Sequence, residues 1–426
     1  MDFRRLLNGK ADCSCHKEHI CAIQRVEIGR NMLEKIPEFC DIYHHILIVA
    51  DKNTFAACGE RVYKILGRKV ETLLCYESDG FLVPDEKAVA RLEKKITGQT
   101  DFILGVGSGV INDLCKFCSF EKKLPYGIVM TAPSMDGYAS SAAAMLMGNM
   151  KITYPAQVPQ MIFGDLDVLK NAPDDLIRAG FGDIIGKYSA LCDWKLAHFV
   201  RGEYFCPWIY QLVMEAVERV ADISETLMQK GEEEIRLLTE ALIVVGIAMA
   251  YAGNSRPASG AEHHLAHYFE VTGLLNGEKY MLHGMDVAYA TIEVQRIREA
   301  LVQRPWATGN LVGAYQQWKE NLKRVYGKIA DEMIELQEKA GFYTENERAF
   351  YIEHRDEIEK ILMEPPAAQE ILQLLRQTGM AYTEFLHLYG ERKIKEAICF
   401  AKDLKDRYTV LWPNQFLWED GYVEAE

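Results

Sequence analysis

"TDFILGVGSGVINDLCK", Thr100 to Lys116, is the stretch on which the fold turns. An apolar run, Phe102 to Val106, ends in glycines at every second position, Gly105, Gly107 and Gly109. It then gives way to Val110, Ile111, Leu114 and Cys115 at helical spacing. A strand that passes through a glycine turn into a helix brings bare backbone up to a pyrophosphate, whose charge is met by N–H groups at the helix N-terminus. Gly105, Gly107 and Gly109, without side chains, allow that approach. The spacing is not G-x-G-x-x-G, so a tight structural turn is the competing reading.

Working outward, the same alternation repeats on both sides. "HILIVADKN" (45–53) reads as a buried strand, "TFAACGERVYKILG" (54–67) as a helix, "KVETLLCY" (69–76) as a strand and "DEKAVARLEKKITG" (85–98) as an amphipathic helix. "PYGIVMTAPS" (125–134) is another strand. This rhythm implies right-handed βαβ units and a parallel, Rossmann-like α/β sheet. After "MIFGDLDVLKNAP" (161–173) the segments are long and helical, among them 174–200, 208–230 and 232–253. We therefore expect a dinucleotide-binding α/β domain over 1–168 and an all-helical metal- and substrate-binding domain over 169–426. Residues 316–363, rich in Glu, Lys and Arg, read as exposed helices, broken by "EPPAAQ" at 364–369.

Composition narrows the function. A net charge of -14 without a basic block argues against a nucleic-acid partner. The N-terminus lacks the apolar run of a secretory signal. The apolar stretch Ala241–Gly253, 13 residues, is short of the roughly 20 that cross a bilayer, so no membrane span is expected. Eleven irregularly placed cysteines suit reduced thiols in a cytoplasmic protein. Among them "CSCHKEHIC" (13–21) carries soft zinc-type ligands, but its Cys-x-Cys spacing is tighter than usual and favours a flexible arm of reduced thiols.

In an open α/β sheet, ligands collect beyond the carboxyl ends of the strands. Asp51, ending the first strand read here, is placed to accept from ribose hydroxyls, which mildly favours NAD over NADP; a solvated turn is the alternative. "TAPSMDGYASSAAAM" (131–145) would face the glycine turn and offers Thr131, Ser134, Asp136 and Ser140, the last also a helix-capping candidate.

Histidines are concentrated in "SGAEHHLAHYFE" (259–270). His263 and His267 stand one turn apart on one helix face, and His264 is rotated about 100° away. With Asp183 of "GFGD" and His283 of "LHG", two imidazoles and a carboxylate form a hard-to-borderline metal set. Singly, Asp183 would cap a helix beginning at Ile184, and His283 would be a turn residue.

The glycine turn, "TAPSMDGYAS", "GDLDVLKNAP", "GFGD", "SRPASGAEHH" and "LHG", in that order, resemble the sn-glycerol-1-phosphate dehydrogenases of the bacterial AraM-like branch. These belong with the iron-containing alcohol dehydrogenases, glycerol dehydrogenase and 3-dehydroquinate synthase. The resemblance runs from about Cys40 to Thr291. It implies a dehydroquinate synthase-like fold, with a sheet domain followed by a helical one. Asp183, His263 and His283 would hold one divalent metal, zinc, nickel or iron, with His264 the rival of His263. His267 would relay a proton, Gly107, Ser108 and Gly109 would cradle the cofactor pyrophosphate, and Asp136 would lie near the reacting carbon and contact substrate. Asp183 favours the dehydrogenases, since dehydroquinate synthases place a glutamate there. The implied reaction is reduction of dihydroxyacetone phosphate by NAD(P)H, which supplies ether-type glycerophospholipid precursors. Arg256 and Lys187 are the cations read as holding the phosphate of this small substrate, and Lys187 is counted with the catalytic group. A homo-oligomer is likewise implied. A glycerol or polyol dehydrogenase of the same group, and a non-catalytic metal and nucleotide binder, are the rival readings.

Overall fold

The strands follow from the β-branched runs and from the turns that close them. They are β1 (Arg25–Gly29), β2 (Ile46–Asp51), β3 (Val70–Tyr76), β4 (Phe102–Gly107), β5 (Tyr126–Met130), β6 (Ala142–Met147), β7 (Met150–Pro155) and β8 (Met161–Asp165). Six pair in parallel in the order β1-β8-β5-β4-β2-β3, and β6 and β7 form a separate antiparallel hairpin. The computed structural model describes residues 3–10, 12–77, 82–148, 150–306, 314–343 and 347–417.

Strands β4, β5 and β8 are buried along their whole length, as expected of parallel strands covered on both faces. Ile46, Ile48, Phe102, Leu104, Val129 and Phe163 share one core with Leu33, Ile36 and Val62 from the covering helices. The strand order reverses between β2 and β4. Their ladder runs from Ile46 opposite Phe102 to Val49 opposite Gly105, so Asp51 and Gly107, each two residues further, end side by side at the switch point.

Gly107 is fixed by packing. A Cβ there would lie 2.5 Å from Cβ of Ile111, one turn into the helix Gly109–Lys122, so only a glycine lets the helix start this close to its strand.

The chain divides into two compact units, Met1–Ile184 with Gln211–Ser255, and Ile185–Tyr210 with Arg256–Glu426. Among the described residues, the first holds every strand and the second is helical. This differs from a single division at 168/169. The helices Asp174–Ile185 and Glu232–Ala252 count with the sheet. The reason is burial: Glu232–Ala252 is apolar nearly all round, with Ile235, Leu238, Leu242, Val245 and Ala248 buried, and it packs on the 3-10 turn Asp136–Ala139 and on β1. Its 21 residues, mean hydropathy 1.8 in the most apolar window, are long and apolar enough to cross a membrane, yet 83% of that window is buried within the protein.

Two further expectations are corrected. The N-terminal segment is folded, with a helix Phe3–Leu7 and an antiparallel bridge between Lys10 and His19. Short helices from Ala314–Tyr326 to Arg355–Leu362 do carry exposed charges, but each also buries a stripe such as Trp318, Leu322 and Tyr326. The break read at 364–369 corresponds to the gap between Leu362 and Ala368, its last two residues already opening the next helix.

Candidate active site

In the first unit, Ser108 is the N-cap of the helix Gly109–Lys122, and its side chain makes no capping bond. The first-turn N–H groups beyond it are oriented as an anion site requires. Asp51 does what the plain turn reading said: its Oδ1 accepts from the N–H groups of Asn53 at 2.8 Å and Thr54 at 2.9 Å, capping a short helix. The cap uses Oδ1, so a ribose contact would have to fall to Oδ2.

The loop after β5 is organised by a lysine that the sequence did not single out. Lys116 is fully buried and donates to the carbonyl of Gly137 at 2.6 Å, to Oγ of Ser140 at 2.9 Å and to the carbonyl of Ala142 at 2.9 Å. Burial pushes its pKa down to about 8, against the opposing pull of Asp113 and Asp136. Ser140, assigned above to the cofactor, is thus a structural residue: its hydroxyl is engaged by Lys116 and by the Gly137 carbonyl. Thr131 and Ser134 are buried at the end of β5. Asp136 opens the 3-10 turn, and its N–H donates to Oδ2 of Asp183 at 2.9 Å. Asp183 lies inside the helix Asp174–Ile185, so it is not the cap of a helix starting at Ile184.

In the second unit, the histidine helix Ala261–Asn276 is held at its start by Asp193, whose Oδ2 accepts from the N–H of Ala261 at 2.7 Å. Gly260 is required there, because a Cβ would come within 2.8 Å of that oxygen. Asp193 is itself paired with fully buried Arg298 at 2.8 Å, and burial pushes its pKa up.

Nδ1 of His263 lies 2.7 Å from Oε1 of Glu262. Nδ1 of His267 and Nδ1 of His283 lie 3.1 and 3.0 Å from the two oxygens of a single carboxylate, Glu270. An ionised carboxylate only accepts, so all three Nδ1 atoms carry the proton and all three Nε2 atoms keep a lone pair. Carboxylate-backed imidazoles of this kind are the usual support of metal ligands. The three rings are neighbours, with centroids 5.1 to 6.2 Å apart. One ligand nitrogen of His263 and one of His283 lie within 4.8 Å of each other, a spacing that one ion spans. Burial alone would raise the pKa of Glu262; hydrogen bonds from His263, Ser189 and the Gly260 N–H outweigh it and hold it at about 2.

His263 and not His264 joins this group. His264 is fully buried, has no hydrogen-bond partner among the described residues, and is held neutral by burial and by the cations Lys405, Arg407 and Arg256. His283 is the first residue of the helix His283–Gln303 and not a turn residue. Lys187 opens the helix Lys187–Arg201 and is fully buried. Arg256 is corrected: it is buried, its Nε donates to half-buried Glu203 at 2.8 Å and its Nη1 to the Tyr408 carbonyl at 2.7 Å, a structural pairing that leaves little for a phosphate. Glu262, Glu270 and Lys116 were missed. Glu270 was visible as a carboxylate at i+3 from His267 and i+7 from His263, on the same helix face.

The sequence profile of the iron-containing alcohol dehydrogenases matches residues 27–173. The chain is 38% identical over 294 residues to a glycerol-1-phosphate dehydrogenase (NAD(P)+) of Halalkalibacterium halodurans, covering 67% of this chain and 74% of that one. It is 31% identical over 407 residues to the enzyme of the same name from Bacillus licheniformis, covering 94% and 90%. Among solved structures, an iron-containing alcohol dehydrogenase of Thermotoga maritima superposes with a TM-score of 0.55 at 14% identity, covering 83% of this chain and 85% of that one, which shows a shared fold.

Proposed function

The chain belongs to the glycerol-1-phosphate dehydrogenase (NAD(P)+) family, and we propose that it interconverts dihydroxyacetone phosphate and sn-glycerol 1-phosphate as a cytoplasmic homo-oligomer, providing precursors of ether-type glycerophospholipids. Reduction consumes one NAD(P)H and one proton and yields NAD(P)+ and the secondary alcohol. The observation that carries this reading is the trio of imidazoles whose Nδ1 atoms are held by Glu262 and Glu270.

His263 and His283 would hold the divalent ion, with Asp183 proposed as the third ligand. When bound, that ion supplies Lewis acidity at the carbonyl oxygen, and the nicotinamide supplies the hydride. Glu262 and Glu270 keep Nε2 of His263 and of His283 available as donors. His267 is the proton relay, since Glu270 stabilises it when charged and fixes its ring. The backbone of Gly107, Ser108 and Gly109 cradles the pyrophosphate, Oδ2 of Asp51 meets the ribose, Thr131 and Ser134 border the cofactor, and Asp136 lies toward the reacting carbon. Lys187 holds the phosphate ester.

A second reading is favoured by one observation. The pairing of Arg256 with Glu203 removes a phosphate cation, which suits an unphosphorylated polyol. NADH oxidation by metal-stripped protein, resupplied with zinc, nickel or iron, separates the two. We expect metal-dependent turnover of dihydroxyacetone phosphate, little with dihydroxyacetone, and its loss in His263→Ala and Asp183→Ala. Turnover of the free ketone alone would move the assignment to the polyol enzyme.

A further inference from the structure

A second cluster of metal-type ligands lies in the N-terminal segment, far in sequence from the histidine helix and of different chemistry. Cys13, Cys15 and His19 each offer a ligand atom, all within 4.8 Å of one another. Cys13 and His19 are buried and Cys15 half-buried. Backbone hydrogen bonds produce this convergence. His16 N–H donates to the Cys13 carbonyl at 2.9 Å, closing a turn with His16 in the left-handed region at φ 60°. Lys10 and His19 then exchange both backbone hydrogen bonds, each 2.9 Å, which returns the chain beside its own start. Gly9, at φ 69°, admits this closeness, since a Cβ there would collide with the His19 carbonyl oxygen.

The ring of His19 is oriented as a ligand. Its Nδ1 faces the carbonyl of Tyr251 at 3.3 Å, which accepts only, so the proton sits on Nδ1 and Nε2 turns to the thiols. Sγ of Cys15 lies 3.4 Å from that Nε2. Around a tetrahedral zinc ion with Zn–S of about 2.3 Å and Zn–N of about 2.05 Å, sulfur and nitrogen stand roughly 3.6 Å apart. The cysteines of the described residues are not in disulfides.

We propose that Cys13, Cys15 and His19 hold a structural zinc ion, distinct from the ion of the dehydrogenase site. Two thiolates and an imidazole are soft-to-borderline donors that select zinc over magnesium or calcium, and a water or a further thiol completes the four positions. Thiolate formation releases a proton from each cysteine on binding. The ion staples the segment from Phe3 to Cys21 to the helix Glu232–Ala252, to which Tyr251 already ties it through the Leu6 carbonyl. Its role is to hold that segment in place, not to touch substrate.

Cobalt reconstitution of the full chain tests this, because only this site gives a thiolate-to-cobalt charge-transfer band. The expected result is two metal ions per chain with the band present in the wild type. Cys13→Ser/Cys15→Ser loses the band and one ion and keeps the other, whereas His263→Ala keeps the band. Should the double variant fail to fold, an organomercurial titration of the zinc-loaded wild type decides the same point: release of one zinc as the thiols react supports the site. A wild type that binds one ion without the band, or whose band survives in Cys13→Ser/Cys15→Ser, overturns it and reduces the cluster to a thiol–imidazole hydrogen bond.

Discussion

Glu270 serves two imidazoles at once, and that makes it a sharp test of how the site is held. In Glu270→Gln, the amide oxygen still accepts from one Nδ1–H, but the amide NH2 meets the other, forcing one ring into the tautomer with its proton on Nε2. That ring loses the lone pair a metal needs. We expect metal affinity to fall about ten- to hundredfold, as for other orienting carboxylates, with the fold retained; competition against a chelator reads it. Unchanged affinity would mean that Glu270 orients nothing. Lys116 poses a different question. Its pKa of about 8 in the folded chain lies below the ordinary 10.5, because burial disfavours the charge. Below pH 8 both folded and unfolded chains carry the proton, and the folded one bears the cost. Between pH 8 and 10.5 the unfolded chain binds more protons, so this group adds stability as pH rises, about 3 kcal/mol across the window. Chemical denaturation of wild type and Lys116→Met should therefore show the wild type gaining on the variant from pH 7.5 to 10, and parallel curves would refute it.

The strand–turn–helix joint at Gly107 shows why some elements were readable and others not. Gly107→Ala puts a methyl group 2.5 Å from Cβ of Ile111, so either the helix Gly109–Lys122 shifts or the strand does. We expect a loss of about 1 to 3 kcal/mol in thermal unfolding and a weaker NADH complex, partly restored by Ile111→Ala. If Gly107→Ala were neutral to stability but still impaired NADH binding, the glycine would serve the cofactor alone. β4 and its helix were legible because "FILGVG" is a continuous buried run that switches to helical spacing within two residues. β1 was not, since "RVEIG" is short, partly exposed and bounded by charges, and its identity comes from pairing with β8 far along the chain. The hairpin β6–β7 hid in "SSAAAMLMGNMK", whose alanines favour a helix locally and whose strand state is set by tertiary pairing. The histidines were visible by spacing, and Glu270 shared their helix face, but that Glu262 and Glu270 are more than ordinary helix charges is legible only once their burial is known. Arg256 failed in the opposite direction: its partners, Glu203 and the Tyr408 carbonyl, lie 53 and 152 residues away.

The candidate ligands fall in different compact units, so two ways of holding the ion can be told apart by experiment. His263, His267, Glu270 and His283 all belong to the second unit, which offers a complete donor set of its own in His267, Glu270 and His283. Asp183 belongs to the first unit, on the helix Asp174–Ile185. A ligand at a hundred times its Kd stabilises the state that binds it by about 2.7 kcal/mol, and hydrogen exchange shows where that stabilisation is felt. NADH should protect the helix Gly109–Lys122 and the turn Asp136–Ala139. The metal should slow exchange in the histidine helix under either arrangement. With Asp183 as ligand, it should also slow exchange near the end of Asp174–Ile185, and this added protection should vanish in Asp183→Ala along with most of the affinity. Protection confined to Ala261–Asn276 and the start of His283–Gln303, with affinity intact in Asp183→Ala, would instead place the ion on His267, Glu270 and His283. Glu270 would then be a ligand and His267 could no longer relay the proton.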